Sequence, residues 1–143
     1  MRLATIGYES TTVADVIGRL KTAGVEVVID VRAVASSRRP GFSKTMLAAN
    51  LAEAGIDYVH LRQLGTPSAG RTAARAGRTA EMHAIFETHM EEPESQLALV
   101  QAGEIASARR AALLCYEADA AGCHRRIIAE RLQERLGGTV DDL

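Results

Sequence analysis

Four short apolar segments recur along the chain, and each is predicted to form a β-strand. They comprise residues 3–6, 25–31, 56–61 and 111–116. The second is β-branched almost throughout, a pattern typical of a strand that is buried on both faces of a parallel sheet. The tail around Val140 is predicted to add a short strand at the edge of the sheet.

Segments with helical periodicity separate these strands. Val13, Val16 and Leu20 share one face of a helix, and Thr12 with Asp15 has the spacing of a capping box at its start. Further helices are predicted between Ser43 and Gly55, from Thr79 as far as Pro93, over residues 94–106 and over residues 123–136. Because strands that alternate with helices form right-handed crossovers, we expect one α/β domain over residues 1–143. It should be three layers thick and Rossmann-like (doubly wound), with a mainly parallel sheet of four to five strands.

Residues 62–78 lack periodicity and are predicted to form a long Arg-rich loop. Glycine and proline interrupt the segment, and Arg71, Arg75 and Arg78 lie along it. An irregular stretch of this length in a small domain is typical of a lid or binding loop, or of disorder. The preferred interpretation of its arginines is a solvated face, and the alternative is a row of phosphate-binding groups.

Composition and charge narrow the classes of partner. The 143 residues carry 17 basic and 18 acidic side chains, so the net charge of about -1 gives no general attraction to nucleic acid or to an anionic membrane. Fifteen of the basic residues are Arg, which suits bidentate contacts to phosphate or carboxylate. No apolar run approaches the length of a membrane span, so we expect a cytoplasmic protein whose two Cys are free thiols, redox groups or metal ligands.

Reactive and charged residues stand where the predicted strands end. In a parallel sheet all these ends lie at one edge, where open α/β folds bind ligands. We expect the first and fourth strands to be neighbours, with a topological switch point between them. The candidate site residues at this edge are Gly7, Tyr8, Asp30, Arg32, His60, Cys115 and Glu117, joined by Cys123, His124 and Arg125 at the start of the last helix.

The start of the last helix favours an anion, because its unpaired N–H groups and its dipole carry partial positive charge. The same field should lower the pKa of Cys123, and Arg32, Arg38, Arg39 and Arg125 would add direct charge. Phosphate, sulfate and carboxylate are therefore the expected ligand groups. The sequence lacks a Walker A loop, a dinucleotide fingerprint, a phosphatase-type Cys loop with Arg six residues on, and the spacing of a standard zinc module.

Several blocks of sequence resemble one known family over nearly the whole chain. They are Thr5-Ile6-Gly7-Tyr8-Glu9, Asp30-Val31-Arg32, Ser37-Arg38-Arg39-Pro40-Gly41-Phe42, Tyr58-Val59-His60-Leu61 with Leu64-Gly65, Leu113-Leu114-Cys115-Tyr116-Glu117, and Cys123-His124-Arg125. The chain resembles the domain of unknown function 488 (DUF488) family. The resemblance implies a small α/β domain, mostly bacterial and archaeal, with no settled activity. It supports Arg38 and adds Phe42 to the candidate ligand-binding residues.

Three functions remain open at this point, and whether the protein is an enzyme is undecided. The first is an enzyme or binder for a phosphate-bearing or nucleotide-like anion held by Arg32, Arg38 and Arg125. In it Cys123 or Cys115 is the nucleophile or redox group, His124 is the acid or base, and Glu117 or Asp30 orients it.

The second function is a zinc or iron site formed by Cys115, Cys123 and His124, with His60 or Glu117 as a candidate further ligand, although adjacent ligands such as Cys123 and His124 rarely converge on one ion. No other cofactor is expected. The third is a non-catalytic nucleic-acid-binding module that uses residues 62–78, which the neutral charge and scarcity of aromatic residues disfavour.

Overall fold

The computed structural model describes all of residues 1–143 and contains one five-stranded, fully parallel sheet. The strands are β1 (Arg2–Gly7), β2 (Val27–Asp30), β3 (Asp57–His60), β4 (Ala111–Cys115) and β5 (Thr139–Asp142). They lie in the order β3-β2-β4-β1-β5, with Gly7 beside Cys115 and Asp30 between His60 and Leu114. The predicted parallel sheet and the pairing of the first and fourth strands are confirmed.

Six helices cover the two faces of this sheet. They are α1 (Val13–Thr22), α2 (Lys44–Glu53), α3 (Ser68–Arg75), α4 (Thr79–Met90), α5 (Pro93–Ala108) and α6 (His124–Leu136), with short 3₁₀ turns at Arg62–Leu64 and Ala120–Gly122. At the start of α1 the Thr12 hydroxyl accepts a hydrogen bond from the backbone N–H of Asp15 at 3.1 Å, as the capping spacing predicts. None of the six helices combines the length and apolar character needed to cross a membrane.

Alternating side chains of the central strands divide the core into two parts. Val28 and Leu114 pack with α1 and α2 on one face, whereas Ile29 and Leu113 pack with the other four helices on the opposite face. Because both faces are covered, β2 and β4 are apolar at nearly every position. The chain leaves β1 towards α1 and leaves β4 towards α6, so the predicted switch point lies between these neighbouring strands.

The predicted long loop over residues 62–78 is wrong in its main feature. Ser68–Arg75 forms the helix α3, which follows Pro67 and ends before Gly77, whose φ is +77°. Only Gly70 and Ala73 are buried on this helix. Because its buried face consists of such small residues, the helix has no apolar stripe in the sequence. A Cβ at Gly70 would lie 2.5 Å from the Thr66 side chain, so glycine permits close packing there.

The loop between β2 and α2 is held by a serine pair. Ser43 precedes α2, but its hydroxyl makes no capping bond to the helix. It accepts a hydrogen bond from the N–H of Ser37 at 3.0 Å and donates one to the Ser37 carbonyl at 3.1 Å. Arg39 also donates to the Thr11 carbonyl at the start of α1. These contacts fold the loop back over the end of the sheet and bring Arg38 and Arg39 to its edge.

Candidate anion-binding site

Gly7 allows the chain after β4 to cross the end of β1. A Cβ at this position would lie 1.7 Å from the Glu117 carbonyl oxygen, a distance that no side chain tolerates. The crossing is held by backbone bonds from Tyr8 to the Cys115 carbonyl (3.3 Å) and from Glu9 to the Tyr116 carbonyl (2.8 Å). Glu117 is thereby placed directly above the end of the sheet.

The two cysteines meet at one carboxylate oxygen. Sγ of Cys115 lies 3.4 Å and Sγ of Cys123 lies 3.3 Å from Oε2 of Glu117. The three ligand atoms are all within 4.8 Å of one another, and both thiols are unoxidised and buried. Cys115 ends a strand and Cys123 precedes a helix, so their meeting depends on the path of the intervening 116–122 segment.

Arg125 supplies a buried positive charge to this cluster. Its side chain is fully buried and has no carboxylate partner within ion-pair distance. Nη1 lies 3.0 Å from Sγ of Cys115 and also donates to the Glu117 carbonyl, while Nη2 donates to the Ala118 carbonyl at 3.1 Å. Burial acts to lower the pKa of Arg125, but the charge and hydrogen bonding of the two cysteines outweigh it and raise the pKa. The guanidinium therefore stays charged beside the sulfur.

His124 is neutral and held in one tautomer. Its Nε2 lies 2.8 Å from the Val31 carbonyl, and because a carbonyl only accepts, Nε2 carries the hydrogen. Nδ1 then presents its lone pair 3.6 Å from Sγ of Cys123. Burial lowers the pKa of His124, so the ring is unprotonated at neutral pH and can accept a proton.

Cys123 differs from the sequence-based expectation. Burial, followed by hydrogen bonding to Cys115 and the negative charge around it, raises the pKa of the Cys123 thiol well above its ordinary value. The lowering predicted from the helix N-terminus is wrong, because desolvation of a sulfur that is 1% exposed disfavours the thiolate more than the helix end favours it.

A second buried cluster lies on the α1–α2 side of the same edge. Arg32 and Asp30 form a two-pronged ion pair with N–O distances of 2.9 and 2.7 Å, and Tyr58 donates to the same carboxylate at 2.5 Å. Arg32 also donates to the Tyr8 hydroxyl at 3.1 Å and to the Phe42 carbonyl at 2.7 Å. Burial opposes the charge of Arg32, but Asp30 and Tyr8 raise its pKa. Burial and the bond to Asp30 likewise raise the pKa of Tyr58.

Between the two clusters opens a cavity of about 500 Å³. Its floor carries Cys115, Glu117 and His124, and its rim carries Arg38, Arg39, Arg71 and Arg75. None of these four rim arginines forms an ion pair, whereas Arg32 in the same wall is neutralised by Asp30. Glu117 is the one acidic residue among the lining side chains, so the cavity is strongly positive although the whole chain is not.

Comparison with known sequences identifies the family. The sequence model described as "Domain of unknown function DUF488" matches residues 12–132 of the 143. The chain belongs to the DUF488 family. No curated protein and no solved structure matches it.

The structure separates the candidate residues of this DUF488 protein into two groups. Those that line the cavity are Tyr8, Arg32, Arg38, Cys115, Glu117 and His124. Those that lie behind its wall are Gly7, Asp30, Phe42, His60, Cys123 and Arg125. Of these, Phe42 is fully buried and stacks on Tyr8 at 4.3 Å between ring centroids, and His60 contacts the Arg32 carbonyl at 2.7 Å. What each residue contributes to function stays a prediction.

Arg71 and Arg75 are site residues that sequence reasoning placed on a solvated face. They stand four positions apart on α3 and therefore on one side of that helix, and both line the cavity. Arg71 is fixed there by a hydrogen bond to the Thr66 carbonyl at 2.9 Å. The i, i+4 spacing was visible in the sequence, but it carries meaning only once the segment is known to be helical.

Proposed function

We propose that this DUF488 protein binds a small phosphate-bearing or comparably anionic molecule in the cavity above Cys115. The observation that carries the proposal is the set of four rim arginines without acidic partners, Arg38, Arg39, Arg71 and Arg75. Guanidinium groups form paired hydrogen bonds with phosphate and carboxylate oxygens. An uncompensated cluster of them around a concave surface is a natural receptor for such a group.

The size and depth of the cavity support a small ligand. A volume of about 500 Å³ falls in the range of roughly 300–1,000 Å³ usual for small-molecule sites. The rim charges come from two segments, the loop after β2 and helix α3. A single anionic group held between them would place the rest of the molecule against the floor formed by Cys115, Glu117 and His124.

An extended nucleic acid fits this arrangement less well. Single-stranded nucleic acid is bound along a basic groove with aromatic side chains on which bases stack. Here the arginines converge on one opening, and the aromatic residues in the lining are Tyr8, which is buried, and Tyr116. A nucleotide or other small phosphate ester is therefore the ligand class we favour.

The test is calorimetric titration of the protein with inorganic phosphate and with a nucleoside monophosphate at low ionic strength. Arg38 donates no hydrogen bond within the protein, and Arg75 makes only a long contact to its helix neighbour Thr72. Arg38→Ala and Arg75→Ala should therefore fold normally. Each removes a charge-assisted contact of about 1.5–3 kcal/mol, so Kd should rise roughly 10- to 100-fold.

Arg62→Ala is the matched control, because Arg62 is also exposed and lies outside the cavity lining. Its affinity should equal that of the unmodified protein. The proposal is wrong if the unmodified protein binds neither phosphate compound at millimolar concentration. It is also wrong if Arg62→Ala weakens binding as much as the rim variants do. A third contrary result would be a single-stranded oligonucleotide that binds more tightly than the mononucleotide and whose binding is weakened by the rim variants.

A further inference from the structure

We infer that Cys115, Glu117 and Cys123 form a binding site for one zinc-like divalent cation at the floor of the cavity. The inference goes beyond the proposed anion binding, since it uses different side chains. It also narrows the metal ligand set expected from the sequence: Glu117, there an alternative ligand, takes the place of His124 beside the two cysteines. The three atoms that lie within 4.8 Å of one another are the two sulfurs and a Glu117 oxygen.

The separations between the donor atoms suit tetrahedral zinc. With Zn–S bonds of about 2.3 Å and Zn–O bonds of about 2.1 Å, sulfur and oxygen ligands stand roughly 3.6 Å apart. The observed S–O distances are 3.4 Å from Cys115 and 3.3 Å from Cys123. A cation would therefore need only small rotations of these side chains, without movement of the backbone.

The charge around the cluster balances when a divalent cation is bound. Two thiolates and a carboxylate carry three negative charges, the cation carries two positive charges, and Arg125 adds one more. Arg125 is fully buried, touches Sγ of Cys115 at 3.0 Å and has no carboxylate of its own. Such a buried charge requires compensation nearby, and a three-coordinate thiolate and carboxylate centre supplies it. In this step the two thiols release two protons to solvent as two metal–sulfur bonds form.

Two features indicate an accessible centre rather than a closed structural one. Three protein ligands leave a fourth position free, as in catalytic zinc sites. Cys115 and Glu117 line the cavity, so this free position faces the space between the rim arginines. Adjacent to the cluster, the Val31 carbonyl accepts the Nε2–H of His124, so that the Nδ1 lone pair lies on the side of Cys123.

The first test measures metal in protein purified under reducing conditions without a metal-affinity tag, followed by titration of the stripped protein with Zn²⁺ and Co²⁺. We expect one equivalent of zinc, and a thiolate-to-cobalt charge-transfer absorption that saturates at one equivalent of cobalt. Loss of a residue that only supports a metal ligand typically lowers metal affinity roughly 10- to 100-fold. We expect a larger loss of zinc affinity when a ligand itself is replaced, as in Cys115→Ser, Cys123→Ser and Glu117→Gln.

Glu9→Gln is the matched control, because Glu9 lies at the same edge of the sheet and contacts the N–H of Ala118 rather than the sulfurs. It should retain the zinc stoichiometry and the cobalt absorption. A second measurement needs no variant: calorimetry in buffers of different ionisation enthalpy should show about two protons released per zinc. The rim variant Arg38→Ala should bind zinc normally, so failure of the metal site and failure of anion binding are distinguishable.

The inference is overturned by less than about a tenth of an equivalent of zinc after reconstitution, or by cobalt charge-transfer absorption that is undiminished in Cys115→Ser. Proton release close to zero would equally exclude a site that contains two thiols. If the reduced protein binds no cation and the two sulfurs instead join in a disulfide on exposure to a hydroperoxide, the pair is a redox couple and not a metal site.

Discussion

The buried ion pair between Asp30 and Arg32 allows a quantitative test of how the cavity wall is held. Asp30 is fully buried and Arg32 is 6% exposed. The carboxylate accepts hydrogen bonds from the backbone N–H, Nε and Nη2 of Arg32 and from the Tyr58 hydroxyl. Asp30→Ala removes the acceptor of these four donors at once and leaves the guanidinium with the Tyr8 hydroxyl and the Phe42 carbonyl as partners.

The expected cost is large because one charge stays buried without its counter-charge. Removing one member of a buried pair costs about 3–5 kcal/mol, out of a total stability of roughly 7–20 kcal/mol for a chain of this length. At about 2–4 °C per kcal/mol, Tm should fall by roughly 6–20 °C. Deleting both partners in Asp30→Ala/Arg32→Leu should recover much of this loss, because two apolar side chains leave no buried charge.

The assay is urea unfolding followed by far-ultraviolet circular dichroism for the two single variants and the double variant. Glu81→Ala serves as the control, because the Arg78–Glu81 pair is about half exposed on both sides. Loss of this exposed pair should lower the free energy of unfolding by about 0–1 kcal/mol. The reasoning is refuted if Asp30→Ala costs less than about 1 kcal/mol, or if the double variant loses the sum of the two single changes.

Three further substitutions probe the glycine that shapes the site and two positions of helix α1. Gly7→Ala places a Cβ 1.7 Å from the Glu117 carbonyl and should cost at least about 1–3 kcal/mol. Gly18 lies within helix α1, and no atom is within 4 Å of a Cβ added there. Gly18→Ala should therefore raise the free energy of unfolding by about 0.5–1 kcal/mol. Equal shifts of the urea midpoint in the two glycine variants would contradict this reasoning. Thr12→Ala removes the cap of α1 and should cost about 0.5–2 kcal/mol in the same assay, whereas no change would show that the cap is dispensable.

The layered architecture was predictable because burial on both faces leaves a simple trace in the sequence. In β2 every residue is buried and apolar until Asp30, and β4 is apolar throughout. The cap of α1 was equally visible, since it depends on residues three positions apart. Helix α3 was missed for the opposite reason. It is short, it buries Gly70 and Ala73 rather than large side chains, and its arginines face the cavity.

The location of the site was predictable to the same extent, because parallel strands bring their carboxyl ends together whatever residues they carry. That rule places Cys115, Asp30 and His124 at one edge. It does not say which side chains face the opening and which lie behind them. Cys123 is covered, and the direction of its pKa shift depends on burial by residues distant in the chain. Such depth is a property of tertiary packing, and no local pattern encodes it.

Different arginines of this chain have different surroundings, which explains why net charge is a poor guide to its function. Arg32 and Arg125 are buried and are held by a carboxylate or by sulfur and carbonyl groups. Exposed Arg126 forms an ion pair with a glutamate on its own helix, α6. Exposed Arg78, which immediately precedes α4, forms one with a glutamate in the first turn of that helix. The rim arginines Arg38, Arg39, Arg71 and Arg75 have no acidic partner and line the cavity. The acidic residues that bring the net charge to -1 lie outside the cavity lining, apart from Glu117. The positive charge at the rim is therefore available to an anion from solution.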